Sequence, residues 1–341
     1  MRNTSFRKAC IAFILASTSH AGMVSAAGTG YRVVRTFQIG GSGSWDYTTV
    51  DVAHHRLFVS HGMQVEVIDL VSGKAVGTIS ETLGARGIAI APELGRGFIA
   101  CNKTNSVLIF DLATLDKIGT VKTDERPDAI VYDSITGLIL AFTHNKSATV
   151  IRAKDGVVTG RVPLAGSPEF AVADGRGKVY VSLQDTNEVA QLDPQKLHLD
   201  QRWAVKSCDA ATSLGIDKKS RKLFVGCHNR TVAVMDADSG DTLQTLPIGP
   251  GVDGTVFDEQ TNLVFVSSGG DGTLTIIHED ANRKFAVTDV VQTHHSARTI
   301  ALDPTTHRVY LPYAKSASTV VKSDEEEQFQ AGTFAVLELG Q

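Results

Sequence analysis

The sequence predicts an all-β fold, a seven-bladed β-propeller with four-stranded blades. Three observations lead there. A short apolar strand with an aromatic or aliphatic centre recurs at Phe58, Phe98, Ile139, Tyr180, Phe224, Phe265 and Tyr310, at spacings of 40, 41, 41, 44, 41 and 45 residues. In six of these seven units an aspartate stands six or seven residues upstream: Asp51, Asp133, Asp174, Asp217, Asp258 and Asp303. Alternating apolar runs bounded by Gly, Asp, Asn and Ser fill the chain, and no window has a helical period. Units of about forty residues with four strands each form propellers, in which a blade hides its faces against its neighbours.

Residues 1–26 read as an export signal. Arg2, Arg7 and Lys8 precede the apolar run Ala9–Ala16, and Val24-Ser25-Ala26 places cleavage after Ala26. Eight apolar residues are too few for a membrane span, which takes about 20. A periplasmic or secreted protein is expected, with 27–341 as a single propeller domain and no transmembrane segment. Tyr31–Ile39 reads as a strand ahead of the first complete unit. The last unit supplies strands near Arg298–Leu302, Arg308–Leu311 and Thr333–Leu339 and lacks a fourth. The N-terminal strand is therefore expected to join the last blade and close the ring, removing an open edge.

The clearest unit is Leu214–Ile248. Its first strand ends at Asp217; the others are Lys222–Gly226, Thr231–Asp236 and Thr242–Ile248, joined by tight turns. The repeated aspartates are expected to hold the turn after the first strand by accepting backbone amides, a structural role. In the second unit Ala91-Pro92 stands there instead. Asn102-Lys103-Thr104, Asn145-Lys146-Ser147 and Asn229-Arg230-Thr231 spell sequons, but they fall at matching turns and read as turn chemistry. Lys315–Gln330 is a polar insertion in the last blade with the acidic run Asp324-Glu325-Glu326-Glu327, a solvated loop or a docking segment.

The 341 residues are 42% hydrophobic and 21% charged, with a net charge of −4. No basic excess points to nucleic acid or an anionic membrane. A monomer is expected. Without the signal, Cys101, Cys208 and Cys227 remain. Cys208 and Cys227 flank the first two strands of one unit at the same end and are expected to pair, leaving Cys101 free; the simpler alternative is three buried thiols.

Arg56–Ser60, Lys178–Ser182, Lys222–Asp236, Gly249–Asp253 with the following TVFDEQTNLVFVSSGGDGTLTII, and Ala297–Pro312 resemble the YVTN-type β-propeller repeats of YncE-like exported proteins. Tyr180-Val181-Ser182 comes nearest to the eponymous tetrapeptide. The resemblance spans nearly all of the mature chain. It implies an exported seven-bladed propeller and does not imply a reaction.

Candidate functional residues lie in two sets of loops that share one face around the axis. The loops leading into the first strands contribute Asp46, Arg86, Asp128, Glu169, Asp209, Asp253 and Arg298, with His294-His295 beside the last. The loops between second and third strands contribute His61, Asn102, His144 and His228. Convergent polar groups around a concavity make a binding site. The plainer reading is that the acids cap loop amides, the histidines are solvated and the arginines pair with nearby acids.

Three functions follow. The first is an exported binding or interaction propeller that holds a small molecule or an envelope partner on this rim. The second is a metal-dependent lactonase-type hydrolase or lyase. In it a divalent cation would be held by Glu169, Asp209, Asp253 and Asn102, with His144 or His228 as base. The third is a structural component of an envelope assembly, docking through the acidic loop. The first is favoured, because the chain has no Gly-x-Ser-x-Gly elbow, Walker loop, Cys-x-x-Cys pair or haem motif. Whether it is an enzyme stays open at this point, since propellers build sites from distant residues.

Overall fold

A computed structural model describes residues 28–317 and 328–341. Residues 1–26, read above as an export signal, and the acidic run Asp324–Glu327 lie outside these residues. The described chain forms seven antiparallel sheets of four strands. Blades one to six take their strands in chain order, from innermost to outermost, starting at Trp45–Asp51, Ala85–Ala91, Pro127–Asp133, Pro168–Ala173, Ala211–Asp217 and Val252–Asp258. Each innermost strand neighbours those of the adjacent blades, and the short Ala301–Asp303 of blade seven lies beside both blade six and blade one. The ring is closed.

Closure uses the two ends of the chain. Arg32–Gln38 is the outermost strand of blade seven and pairs antiparallel with Ala335–Gly340. Glu338, buried in that third strand, holds Arg35 on the outer strand and Arg308 on the second. Arg35 also donates to the Leu70 carbonyl at 2.7 Å and the Val71 carbonyl at 2.9 Å, which ties blade seven to blade one.

The hydrophobic core is divided among the gaps between blades. The seven repeated centres, Phe58 through Tyr310, are all buried. One cluster around Ile99 and Phe110 joins blades one and two; another around Phe224, Val266 and Phe285 joins five and six. The largest, with Phe37, Trp45, Tyr310 and Phe334, fills the closure between blades six, seven and one.

The repeated aspartates do what their position requires. Asp217 accepts the Lys219 and Ser220 amides at 2.9 and 3.0 Å, Asp258 the Gln260 amide at 3.0 Å, and Asp303 the Thr305 amide at 2.9 Å. They also knit blades together, as in Asp174 with Arg221 at 2.8 Å and Asp258 with His307 at 2.7 Å. In blade two the substitute Ala91-Pro92 starts a short 3-10 turn, Pro92–Leu94. Asn145 and Asn229 accept from Ser147 and Thr231 hydroxyls at 3.0 Å, which is local turn bonding. The insertion of blade seven starts from a paired base, with Ser316 opposite Phe329.

Cys208 and Cys227 form a disulfide, with Cα atoms 5.4 Å apart, and Cys101 is free and buried.

Three variants test this frame. Deleting residues 28–38 should abolish the single cooperative melt of the native ring, and Glu338→Ala, which strands two guanidiniums, should cost about 2–4 kcal/mol in chemical denaturation. Replacing both Cys208 and Cys227 by serine should cost about 3 kcal/mol, since the bridge constrains the unfolded chain. An unchanged denaturation midpoint in any of the three would contradict the corresponding contact.

Candidate functional site

In blades one to six the innermost strand carries one more residue than its partner near the start. In blade one Trp45 opposes His61 and Thr48 opposes Val59, so three steps on one strand match two on the other. The same shift follows Ala85, Pro127, Pro168, Ala211 and Val252. Such a bulge bends the strand and re-aims a side chain. The residue directly after the first paired position is Asp46, Arg86, Asp128, Glu169, Thr212 and Asp253 in turn. Each stands five residues before the repeated aspartate position, occupied by Ala91 in blade two. The same offset from Asp303 gives Arg298 in blade seven. These seven positions form one ring at one end of the axis.

The bulge takes the ring carbonyls out of the regular ladder, and hydroxyls of other blades accept the task of pairing them. Ser60 donates to the Arg86 carbonyl, Ser182 to Thr212 at 2.8 Å, Ser267 to Arg298, and Thr299 to Asp46 at 2.9 Å. Tyr47 reaches from blade one to the Glu169 carbonyl in blade four at 2.7 Å, and its ring packs on Phe170 with centroids 5.2 Å apart. It spans the axis from blade one to blade four.

The charges do not balance. Four carboxylates face two guanidiniums. Asp46 pairs with Arg86, and Asp253 with Arg298 at 3.1 Å. Asp128 meets His144 at 3.2 Å, and among the described residues no lysine or arginine pairs with Glu169. Burial lifts Asp46 to about 6, with Asp128 adding and Arg86 opposing. Burial, then repulsion from Asp128 and Asp253, lifts Glu169 to about 7. Burial lifts Asp253 to about 7 against the pull of Arg298, with Asp46 and Asp128 adding. Burial and the same carboxylates hold the Tyr47 hydroxyl well above its ordinary value. Arg86 loses by burial but gains more from Asp46 and Asp128, and ends raised. Perturbation of this kind marks functional clusters.

Of the residues singled out in the sequence, Asp46, Arg86, Asp128, Glu169, Asp253, Arg298 and His144 come together. Asp209 and His228 are exposed and stand outside the ring, bonded to each other through backbone at 2.7 Å. Thr212 takes the place in blade five. His61 is only 4% exposed; it stacks on Phe334 with centroids 4.1 Å apart and lies 3.5 Å from Glu66, inside the closure. Asn102 is buried in a 3-10 turn of blade two with its side-chain amide nitrogen unpartnered. The four candidate metal ligands, Glu169, Asp209, Asp253 and Asn102, are thus not one donor set. Among the described residues no group of three or more His, Cys, Asp or Glu is arranged to hold a metal ion. Sequence reasoning missed Thr212 and Tyr47; the five-residue offset from Asp217 marks the first, and no sequence signal marks the reach of the second.

No family model matches the sequence, and no curated protein does. Solved structures match the fold. They include hydrazine synthase from Kuenenia stuttgartiensis, with a TM-score of 0.71 and 13% identity, covering 80% of this chain and 93% of that one. They also include U3-55K, with a TM-score of 0.72 and 10% identity over 90% and 98% of the chains. The WD40 repeats of RRP9 give 0.73 and 10% over 91% and 97%. At these identities the likeness is one of fold, a WD40-like seven-bladed propeller. No helix among the described residues is long and apolar enough to cross a membrane.

The raised carboxylates carry a pH prediction. Asp46, Glu169 and Asp253 hold protons in the folded ring at pH values where the unfolded chain has released them. Their contribution to stability is full below about pH 4 and is lost as pH rises through about 6 to 7. The melting temperature should therefore fall between pH 5 and pH 8, and Glu169→Gln should flatten that fall and raise the melt at pH 8 by about 2 °C. A Glu169→Gln protein that is less stable than wild type at pH 8 would show that the carboxylate is stabilising instead.

Proposed function

We infer that the chain is an exported binding propeller of the YVTN-repeat type, and that its axial ring holds a small molecule or a partner of the cell envelope. The observation that carries this reading is the uncompensated ring. Nothing in blade packing calls for four half-buried carboxylates at one end of the axis, and their mutual repulsion works against folding. Sites kept at a cost to stability are commonly kept for a ligand. With two carboxylates matched to arginines, the open side at Asp128 and Glu169 suits a group that donates hydrogen bonds or carries positive charge.

The fold neighbours support an interaction scaffold, since WD40 repeats are among them. The repeat assignment is supported by Ser60, Ser182 and Ser267, which share one position in their units and one role between blades.

Native mass spectrometry of the protein purified from the envelope fraction of its own cells tests the reading. Wild type should carry an added mass or a co-purifying protein that the double variant Asp128→Asn, Glu169→Gln loses while keeping its fold. Identical spectra for the two would remove the ring from the function. Terminal sequencing of the same sample should begin at Ala27, and a chain that still starts at Met1 would remove export.

A further inference from the structure

A second cleft opens at the opposite end of the strands from the ring, between blades five and six. It has a volume of 380 Å³ and is walled by Asp217, Asn262, His278, Glu279, Asp280 and Arg283. These residues sit on the turns after the first strands of blades five and six and on the turn between the third and outermost strands of blade six. The volume lies in the range of small-ligand sites.

The three carboxylates are not equivalent. Asp217 is consumed by its turn: Oδ1 accepts the Lys219 and Ser220 amides, and Oδ2 accepts the Ser220 hydroxyl. Asp280 is exposed to solvent and commits Oδ1 to its turn, accepting the Asn282 and Lys284 amides at 2.8 and 2.9 Å. Glu279 is different. Its side chain is 8% exposed, yet Oε1 has no hydrogen-bond partner. Arg283 comes to 3.7 Å of that oxygen, too far for a hydrogen bond, and its own side chain is 69% exposed. A buried carboxylate oxygen without a donor is costly unless a partner arrives. The other cation on the wall, Lys219, belongs to the turn that Asp217 holds.

We propose that this cleft binds an alkylammonium or alkylguanidinium group, with Glu279 as its counter-ion and Arg283 as a loosely held occupant that the ligand displaces. Asn262 and His278 stand beside Glu279 to shape the approach. The cation has two sources, a free small amine or the basic side chain of a partner protein, and both present the same chemistry to Glu279. The site is separate from the axial ring and does not depend on the function proposed for it.

The test is a titration followed by backbone amide resonances of the full mature chain. The probes are butylammonium, butylguanidinium, and blocked Gly-Lys-Gly and Gly-Arg-Gly peptides, with butanol as the neutral control. At least one cation should shift the amides of Asn262, His278 and Glu279 saturably, and butanol should not. Glu279→Gln, which keeps the shape and removes the charge, should weaken binding by at least about tenfold. Arg283→Gln should tighten it by roughly threefold, since an exposed competitor is removed. Saturation by the free amines assigns a small ligand; saturation by the peptides alone assigns a protein side chain. Both support the site. The proposal is overturned if no cation shifts these amides, if butanol shifts them equally, or if Glu279→Gln binds as wild type does. Shifts confined to residues around Glu169 would also overturn it, because they place the cation at the ring. Melting curves of both variants show whether the fold is intact; Arg283→Gln alters an exposed residue and keeps the test open if Glu279→Gln unfolds.

Discussion

One extra residue in the innermost strand of blades one to six shapes the ring end of this molecule. A regular antiparallel ladder alternates its side chains between the two sheet faces, and both faces of a propeller blade are covered by neighbours. The bulge breaks that alternation just where the strand meets the axis. In those six blades it aims one side chain at the centre and leaves one carbonyl outside the paired register, and in blade seven Arg298 lies ahead of the short inner strand. The hydroxyls of Ser60, Ser182, Ser267, Thr299 and Tyr47 then supply the missing donors from other blades. The ring is therefore positioned by contacts between blades, and a blade in isolation would not display its ring residue in the same way.

The dependence on neighbours also explains where the ionic contacts concentrate. Asp174 with Arg221 and Asp258 with His307 each sit where one blade must fix the next, and Arg35, paired with Glu338 inside blade seven, reaches the Leu70 and Val71 carbonyls of blade one. They are buried or half-buried and hydrogen-bonded at more than one point, which is the condition under which such pairs hold geometry. The ring shows the contrary arrangement: its acids outnumber its bases and are pushed toward protonation. The same residue types thus serve as cement at one end of the blades and as strained groups at the other.

The fold was legible in the sequence because packing demands repetition. A buried aromatic at the centre of the second strand, and an aspartate that closes the preceding turn, cannot drift without opening the gap between blades. The closing strand was legible because the last unit came up one strand short. The ring was legible in part. Asp46, Arg86, Asp128, Glu169, Asp253 and Arg298 stand out as charged residues in equivalent loops. Blade five misled, since Asp209 looks like its counterpart, but it precedes the innermost strand Ala211–Asp217 and stands next to the bridged Cys208. Counting from Asp217 instead of from the loop finds Thr212. Tyr47 was not legible, because its reach to blade four depends on the width of the channel. His61 was not legible either: by strand register it matches Cys101, Thr143, Leu183, Cys227 and Ser268, all buried, while His144 and His228 stand one residue further on, outside the strand.

The closing strand also sets the order of events during synthesis. Arg32–Gln38 is made before the other six blades and its partner Ala335–Gly340 after them. Until that partner emerges, the earlier strand is an unpaired edge, open to pairing with another chain. Its sequence, RVVRTFQ, places arginines at 32 and 35 among the apolar residues, and charge on an open edge discourages such pairing. Arg35 is thus a guard while the chain is incomplete and a clamp on Glu338 once it is finished.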